Sequence, residues 1–498
     1  VTGPPPFRKV LVANRGEIAV RVSRTCRAMG IATVAVYSEA DVGALHVREA
    51  DEAAPIGPAE AARSYLDIEA VVRAARSAGV DAVHPGYGFL SQNADFADAV
   101  AAAGLRFVGP PGAVHRRMGD KQGARRLMAA AGVPVVPGYD GDDQSERALQ
   151  AEAARVGFPL MIKPSRGGGG KGIHVARSAS EFAAVLAVSR REAQAAFGGQ
   201  DVVLERFLSR PRHVEVQVLA DEQGTVVHLL ERECSIQRRH QKVVEETPSP
   251  ALDDATRTAL CAAGVSAARA AGYVNAGTVE FLLDEGGRFY FLEMNTRLQV
   301  EHAVTEAVTG LDLVRLQLEV AAGRPLPVRQ EDVRGRGHAL ECRLYAEDPA
   351  NDDLPSPGRV LHVEWPQGPG VRVDAGVEAG SEVTVHYDPL LAKIVTWGGD
   401  RTESIGRMRA ALRETAVLGP VTNQARLRAI LDHPRFAEGA LHTRFIEEHV
   451  KDEPSPCPPA EAVAAAMAAL AALPTAGGVL PARAPDPWAS LGPWGRPA

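Results

Sequence analysis

Lys9-Val10-Leu11-Val12-Ala13-Asn14-Arg15-Gly16-Glu17-Ile18-Ala19, followed by Ile31-Ala32-Thr33-Val34-Ala35-Val36-Tyr37, decides the fold class. Lys9 to Ala13 is a short β-branched run, Glu17 to Met29 has apolar residues at helical spacing, and Gly30 closes that helix before strand character returns. A strand, helix and strand in this order predict a parallel α/β sheet. The intervening loop Asn14-Arg15-Gly16-Glu17 carries no GxGxxG, so a dinucleotide fingerprint is missing where one belongs. Similar units follow: a helix over Tyr65 to Ser77 with a strand at Asp81 to His84, then a helix over Asn93 to Ala103 with a strand at Arg106 to Val108. Gly109-Pro110-Pro111-Gly112 punctuates the end of this region.

Outward from that unit, the 498 residues divide into a first domain over 1–117, a second over 118–330, a third over 331–450 and a tail over 451–498. The third is β-rich from Gly337 through Trp397, and helices are expected over Thr402 to Glu414 and Gln424 to Leu431. Pro and Ala supply 24 of the last 46 residues, the composition of a linker with one weak helix over Ala460 to Leu473. With 55 Lys+Arg against 62 Asp+Glu, the net charge of −7 argues against a surface built to grip nucleic acid. No run of eighteen apolar residues predicts a membrane helix, and Val1-Thr2-Gly3-Pro4-Pro5-Pro6 does not read as a secretory signal. Five scattered cysteines without a CxxC predict reduced thiols and a cytoplasmic setting.

Four stretches carry chemistry. In Lys163-Pro164-Ser165-Arg166-Gly167-Gly168-Gly169-Gly170-Lys171-Gly172, strands flank four consecutive glycines. Backbone N–H groups there can curl around an anion, so the loop is either a phosphate-closing flap or a mobile surface turn. No helix follows it, which excludes a Walker loop. From Gly277 to Asn295 a hairpin is expected; a two-residue Gly286-Gly287 turn sets Glu285 opposite Arg288 and, counting back, Glu280 opposite Glu293. Asn295 shares the face of Glu293. Facing carboxylates repel unless a cation lies between them, and Glu, Glu and Asn are hard oxygen donors suited to Mg²⁺. The alternative is a solvated charged face, but Phe281, Leu283, Phe289 and Phe291 anchor the opposite one.

Next, Arg297, Gln299 and Glu301 project together if the chain stays extended. A guanidinium beside an amide suits a planar oxyanion such as bicarbonate, with Glu301 as a base; an Arg–Glu surface pair fits the spacing equally well. Finally, Gln237, Arg238, Arg239, His240, Gln241 and Lys242 look like an anion cradle. Without interleaved aromatic residues, nucleic-acid binding is disfavoured, and Cys234 with His240 is too sparse for zinc. His213 and Arg343, each taken alone, read as structural.

Together these stretches resemble the biotin carboxylase component of biotin-dependent carboxylases, an ATP-grasp family. The likeness rests on Ala13-Asn14-Arg15-Gly16-Glu17-Ile18-Ala19, His84-Pro85-Gly86-Tyr87-Gly88-Phe89-Leu90-Ser91, Met118-Gly119-Asp120-Lys121, the tetraglycine loop, Arg238-Arg239-His240-Gln241-Lys242 and Glu293-Met294-Asn295-Thr296-Arg297-Leu298-Gln299-Val300-Glu301-His302. It spans roughly residues 7 to 449. Asp143-Gln144-Ser145 and the flap are most similar to the α subunit of 3-methylcrotonyl-CoA carboxylase.

The resemblance implies a Rossmann-like domain before an ATP-grasp domain whose lid covers about 135–208, then a β-rich C-terminal domain, α+β in sum. It also implies roles. Lys121, Lys163, Gly169 and Gly170 hold ATP phosphates; Glu205 and Leu208 line the adenine; His213, Gln237 and His240 surround the nucleotide. Glu280 and Glu293 contact ATP through Mg²⁺ or Mn²⁺, with Asn295 as third ligand. Lys242, Arg297, Gln299 and Val300 hold bicarbonate, Glu301 is the base, and Arg343 binds biotin and stabilises its enolate. The implied reaction makes carboxyphosphate and then carboxylates biotin on a carrier, as the first half-reaction of an acyl-CoA carboxylase. Implied partners are a biotin carboxyl carrier, a carboxyltransferase subunit and a second copy of the chain, with neither nucleic acid nor membrane. The competing expectations are another ATP-grasp ligase, such as a carbamoyl-phosphate-synthase-like enzyme, and a non-catalytic carboxylase subunit.

Three positions depart from the family pattern: Gln92 where Glu is usual, Asn275 where Gly is usual, and Ala303 where Pro is usual. Ala303 is expected to loosen the loop behind Glu301. No Ala/Val-Met-Lys-Met biotin-attachment string occurs, so biotin is expected on a separate carrier or beyond the end of this sequence.

Overall fold

The structure, a computed structural model, describes residues 4–165 and 172–451. Gly169, Gly170 and the rest of the flap core, and the tail from Asp452 onward, lie outside the described residues. The opening stretch forms β1 (Lys9–Val12), α1 (Gly16–Ala28) and β2 (Ala32–Ser38). With β3 (Glu52–Gly57), β4 (Ala82–His84) and β5 (Arg106–Phe107) they build a wholly parallel sheet in the order β3-β2-β1-β4-β5. Alternation sends Leu11, Val34 and Val36 into one core and Val10, Val12 and Ala82 into another, so both faces are covered. Two further helices follow, α2 (Ile68–Ser77) and α3 (Ala94–Ala102). Each begins where a side chain caps it: Asp67 accepts from the Ala70 N–H and Asn93 from the Phe96 N–H, both at 2.9 Å.

Beyond these lies a four-stranded sheet of β6 (Gly138–Tyr139), β7 (Leu160–Pro164), β8 (His174–Ala176) and β9 (Val202–Arg206), ordered β6-β9-β7-β8. The flap leaves from β7 and returns into β8. The site rests on a larger antiparallel sheet. Its strands are β10 (Arg212–Ala220), β11 (Val226–Arg238), β12 (Gln241–Thr247), β13 (Asn275–Leu283), β14 (Phe289–Asn295), β15 (His338–Tyr345), β16 (Val371–Ala375) and β17 (Leu390–Gly398). They run β14-β13-β10-β11-β12-β15-β17-β16, so one eight-stranded sheet passes through the expected boundary at residue 330. Val214, Val216, Val218, Val279 and Phe281 face a helix, α4 (Asp254–Ala271), through Leu260, Ala267 and Ala268. The intervening Glu215, Gln217 and Glu280 face the other way and are also buried. Buried polar groups on that face must find hydrogen-bond or ionic partners there.

Two departures have structural answers. Asn275 adopts φ +78, a left-handed conformation that Asn tolerates, and its amide donates to the Gln317 carbonyl at 3.0 Å. Ala303 corrects the expectation of a loosened loop: it sits fully buried in the first turn of α5 (His302–Thr309), beside Val304, Val308 and Val395. No helix among the described residues is long and apolar enough to cross a membrane. Cys26, Cys234, Cys261 and Cys342 are buried free thiols.

Candidate active site

The register of β13 and β14 places Glu280 directly opposite Glu293 and Thr278 opposite Asn295. The route differs from the expected one. Asp284 N–H bonds the Arg288 carbonyl at 2.8 Å, so Glu285-Gly286-Gly287 is a three-residue loop with Gly287 at φ +78. That loop pairs Phe281 with Phe291, one position out from a two-residue turn. Leu292 is then the extra residue of a β-bulge between the 281 and 280 pairs, and it restores the alignment of the two carboxylates.

A second bulge does the same for Lys242. β11 and β12 pair Ile236 with Val244 but Gln237 with Lys242, which leaves Val243 extra. Val243 and Val244 both enter the apolar core, and Lys242 turns to the polar face. Its Nζ lies 2.5 Å from Glu215 Oε2, 2.7 Å from Glu280 Oε1 and 2.7 Å from Glu301 Oε1. Burial opposes charge on this amine, but Glu215, Glu280 and Glu301 together raise its pKa well above the ordinary lysine value.

The carboxylates are held from their other sides too. Arg232, fully buried, gives Nε to Glu215 Oε1 at 2.6 Å. Glu280 Oε1 also accepts from Asn295 at 2.8 Å and Gln299 at 3.0 Å, and His213 Nε2 lies 2.8 Å from Glu280 Oε2. His213 Nδ1 meets Gln237 Nε2 at 2.6 Å, so these two residues form one unit. Burial would raise the pKa of Glu280, but Lys242 and His213 hold it well below the usual carboxylate range. Glu293 goes the other way: burial and then the Glu280 charge push it up, with Lys121 opposing. A divalent cation between the two would relieve that repulsion, and the Glu, Glu and Asn oxygens fit Mg²⁺.

The chain does not stay extended after β14: it bends at Arg297 and turns at Val300 and Glu301, and Glu301 is the residue that precedes the first turn of α5. Its Oε2 accepts from Arg343 Nη2 at 3.0 Å, and Arg343 Nε also bonds Glu245 Oε1 at 2.6 Å. Burial raises the Glu301 pKa, yet Lys242, Arg343 and Arg232 outweigh it and hold it well below the ordinary range. A carboxylate so acidic is a weak base until one of its cations is drawn elsewhere. Arg297 gives Nη1 to Gln299 Oε1 at 2.7 Å and Nε to Gln92 Oε1 at 2.8 Å. The Val300 carbonyl accepts from Lys393 Nζ at 2.7 Å.

Among the expected nucleotide residues, Lys163 Nζ bonds Glu205 Oε2 at 2.5 Å, and Arg125 Nη1 takes Glu205 Oε1 at 3.1 Å. Burial lowers the Lys121 pKa, with Glu293 and Glu205 opposing and Lys163 adding to the fall. Leu208 is half-buried, and His240 is exposed; no hydrogen bond or ion pair among the described residues ties either to the cluster.

The expected anion cradle over 237–242 needs correction. Arg239 (φ +48) and His240 (φ +66) are the two turn residues of a hairpin, and the flanking side chains alternate between faces. Arg238 is neutralised by Glu347 at 2.8 Å and Asp353 at 3.3 Å, and Arg239 by Asp352. Only Lys242 and Gln237 of that run reach the cluster. The sequence does not single out Glu215, Arg232 or Glu245, and it marks Gln92 only as a departure from the family pattern. The available signal was a polar residue at every second position of an otherwise Val-rich strand, as in His213-Val214-Glu215-Val216-Gln217.

Three family models match the chain: "Biotin carboxylase, N-terminal domain" over residues 6–114, "Carbamoyl-phosphate synthase L chain, ATP binding domain" over 120–329, and "Biotin carboxylase C-terminal domain" over 341–448. A biotin carboxylase of Pseudomonas aeruginosa is 51% identical over 443 residues, covering 89% of this chain and 98% of the relative. The mitochondrial methylcrotonoyl-CoA carboxylase subunit alpha of Rattus norvegicus is 50% identical over 445 residues, again 89% of this chain but 62% of the relative. The chain therefore spans less than two thirds of that α subunit's length. Among solved structures, the biotin carboxylase domain dimer of Hydrogenobacter thermophilus 2-oxoglutarate carboxylase, in complex with MgADP, ADP and bicarbonate, superposes with a TM-score of 0.85. It is 44% identical and covers 89% of this chain and 98% of that one.

Proposed function

The chain belongs to the biotin carboxylase family, and from that premise we propose that it carboxylates biotin with ATP and bicarbonate. The observation that carries this reading is the convergence of Lys242, Arg343 and Glu301 in one buried cluster, with Arg297 and Gln299 bonded to each other beside it. Arg297, Gln299, Lys242 and the Val300 backbone hold bicarbonate. Binding the anion draws Lys242 from Glu301, which restores enough basicity for Glu301 to take the bicarbonate proton. The freed oxygen attacks the γ-phosphorus of ATP, the bond to ADP breaks, and carboxyphosphate forms. Lys121 and Lys163 offset the phosphate charge; Glu205 and Leu208 lie toward the adenine, and His213, Gln237 and His240 surround the nucleotide.

Glu280, Glu293 and Asn295 would hold Mg²⁺ or Mn²⁺, which would supply charge neutralisation at the phosphates. Carboxyphosphate divides into CO₂ and phosphate, and the phosphate so released takes the ureido N–H proton of biotin. Arg343 balances the charge on the ureido oxygen while the nitrogen adds to CO₂. Gly169 and Gly170 would close over the phosphates and keep water from the intermediate.

The same reading divides the chain at 1–117, 118–330 with a lid over about 135–208, 331–450 and a linker tail over 451–498. Support comes from the three family ranges. We assign it a biotin carboxyl carrier and a carboxyltransferase subunit as partners, a homodimeric state and a cytoplasmic site of action. The likeness to methylcrotonoyl-CoA carboxylase α subunits supports 3-methylcrotonyl-CoA as the final acceptor. ATP turnover with bicarbonate and free biotin, each omitted in turn, tests the proposal. Turnover should need bicarbonate and rise with biotin, whereas dependence on ammonia would replace this reading with a carbamoyl-phosphate-type ligase.

A further inference from the structure

Two buried carboxyl groups behind Arg343 lack the donors such groups require. Glu341 on β15 is the direct cross-strand partner of Glu245 on β12. Neither is accessible to solvent. Glu245 Oε1 is bound by Arg343, through Nε at 2.6 Å and Nη2 at 2.5 Å. Among the described residues nothing donates to Glu245 Oε2 or to either carboxyl oxygen of Glu341. Like charges directly opposed weaken a strand pair, and two carboxyls that share a dry site cannot both ionise. An acid O–H on Glu341 aimed at Glu245 Oε2 removes the repulsion and gives a partner to two of these three oxygens, Glu245 Oε2 and the protonated oxygen of Glu341.

We propose that Glu245 and Glu341 share one proton, and that this acid–carboxylate dyad is a positioning device for Arg343. Other charges point the same way. Burial raises Glu341 well above the usual carboxylate range, with Lys393 opposing and Glu245 adding to the rise. Burial also brings Glu245 up to about 7 against the pull of Arg343. The charged groups facing the pair are Lys393 on β17, Arg343 on β15, Glu301 at the start of α5 and Lys242 on β12.

With one negative charge on the dyad and one on Glu301, the guanidinium stays between them. Ionising Glu341 adds a second charge on the far side and draws Arg343 away from Glu301. The role in catalysis rests on the biotin-carboxylation reading; the shared proton does not.

Infrared difference spectroscopy on the full chain, wild type against Glu341→Gln at neutral pH, tests the dyad without turnover. One protonated carboxylic-acid band should vanish in Glu341→Gln and shift in frequency in Glu245→Gln, a second variant that keeps the acid but removes its acceptor. No such band in the difference spectra overturns the dyad. The pH dependence of biotin carboxylation then tests the positioning role. Wild-type activity should fall on the alkaline side as the dyad loses its proton, and in Glu341→Gln that limb should move up by about one pH unit or more, because the acid is gone. An unmoved limb overturns the role for Arg343. Absence of biotin carboxylation in the wild type would instead overturn the proposed function, with the infrared result still deciding the dyad.

Discussion

Replacing Glu301 with Gln separates proton transfer from the packing around it. Glu301 is fully buried, with Lys242 at 2.7 Å on one oxygen and Arg343 at 3.0 Å on the other. Gln has nearly the same shape and keeps one acceptor, but it cannot take a proton at neutral pH. Removing one partner of a buried ion pair costs about 3–5 kcal/mol when the other is stranded. Neither cation is stranded here, because Lys242 keeps Glu215 and Glu280 and Arg343 keeps Glu245. The loss of stability should then be nearer that of charge-assisted hydrogen bonds, about 1–3 kcal/mol.

The same substitution should slow biotin carboxylation by about two to four orders of magnitude, equivalent to about 3–5 kcal/mol in the barrier. Burial raises the Glu301 pKa, but Lys242, Arg343 and Arg232 leave it depressed in the folded state. Its stabilisation is therefore present above the ordinary carboxylate pKa and disappears as pH falls through the folded value, so wild type and Glu301→Gln should converge in stability in acid. The assay is carboxylation of free biotin, beside ATP binding by calorimetry and unfolding in urea at neutral and acid pH. A folded Glu301→Gln protein that binds ATP and carboxylates biotin within a few-fold of wild type would refute the assignment.

Glu280→Gln and Glu293→Gln should each raise the Mg²⁺ needed for half-maximal turnover by about tenfold, since each removes one charged oxygen donor; superimposable Mg²⁺ titrations would reject the metal set. Lys242→Met leaves Glu215, Glu280 and Glu301 without their shared cation and should cost about 3–5 kcal/mol in urea unfolding at neutral pH, less in acid where the carboxyls protonate. Equal losses at both pH values would contradict this. Deleting Leu292 removes the β14 bulge and makes Phe291 and Glu293 consecutive opposite Phe281 and Glu280, so Glu293 keeps the polar face and the Mg²⁺ response should be retained; a lost Mg²⁺ response would show that the bulge itself positions the carboxylate.

The N-terminal sheet was legible because its information is local: a β-branched run, a helical repeat and a glycine stop already specify the unit containing β1, α1 and β2. The pairing of Glu280 with Glu293 was legible by a compensation of two errors, since a loop one residue longer than expected is offset by Leu292. Period-two counting cannot see a bulge, which is why Lys242 also looked like a member of a basic patch rather than the centre of an acidic cage. Arg343 illustrates the remaining difficulty. Its partners, Glu245 and Glu301, lie 98 and 42 residues away, and only the closure of β12 on β15 brings them together. Glu341 is invisible to sequence reasoning for the same reason: a lone carboxyl in a strand becomes informative only when its cross-strand neighbour is another.

The three carboxylates around Lys242 have a chemical consequence for a site that would release CO₂ beside a lysine. Carbon dioxide adds to a neutral amine to give a carbamate, whereas an ammonium group has no lone pair to offer. Lysines become nucleophiles when burial or a neighbouring cation strips their proton. Here Glu215, Glu280 and Glu301 do the reverse and raise the pKa well above the ordinary value. The Lys242 amine is thereby held in the form that does not react with CO₂. Capture of CO₂ by the polypeptide itself is suppressed, and biotin's ureido nitrogen is left as the acceptor.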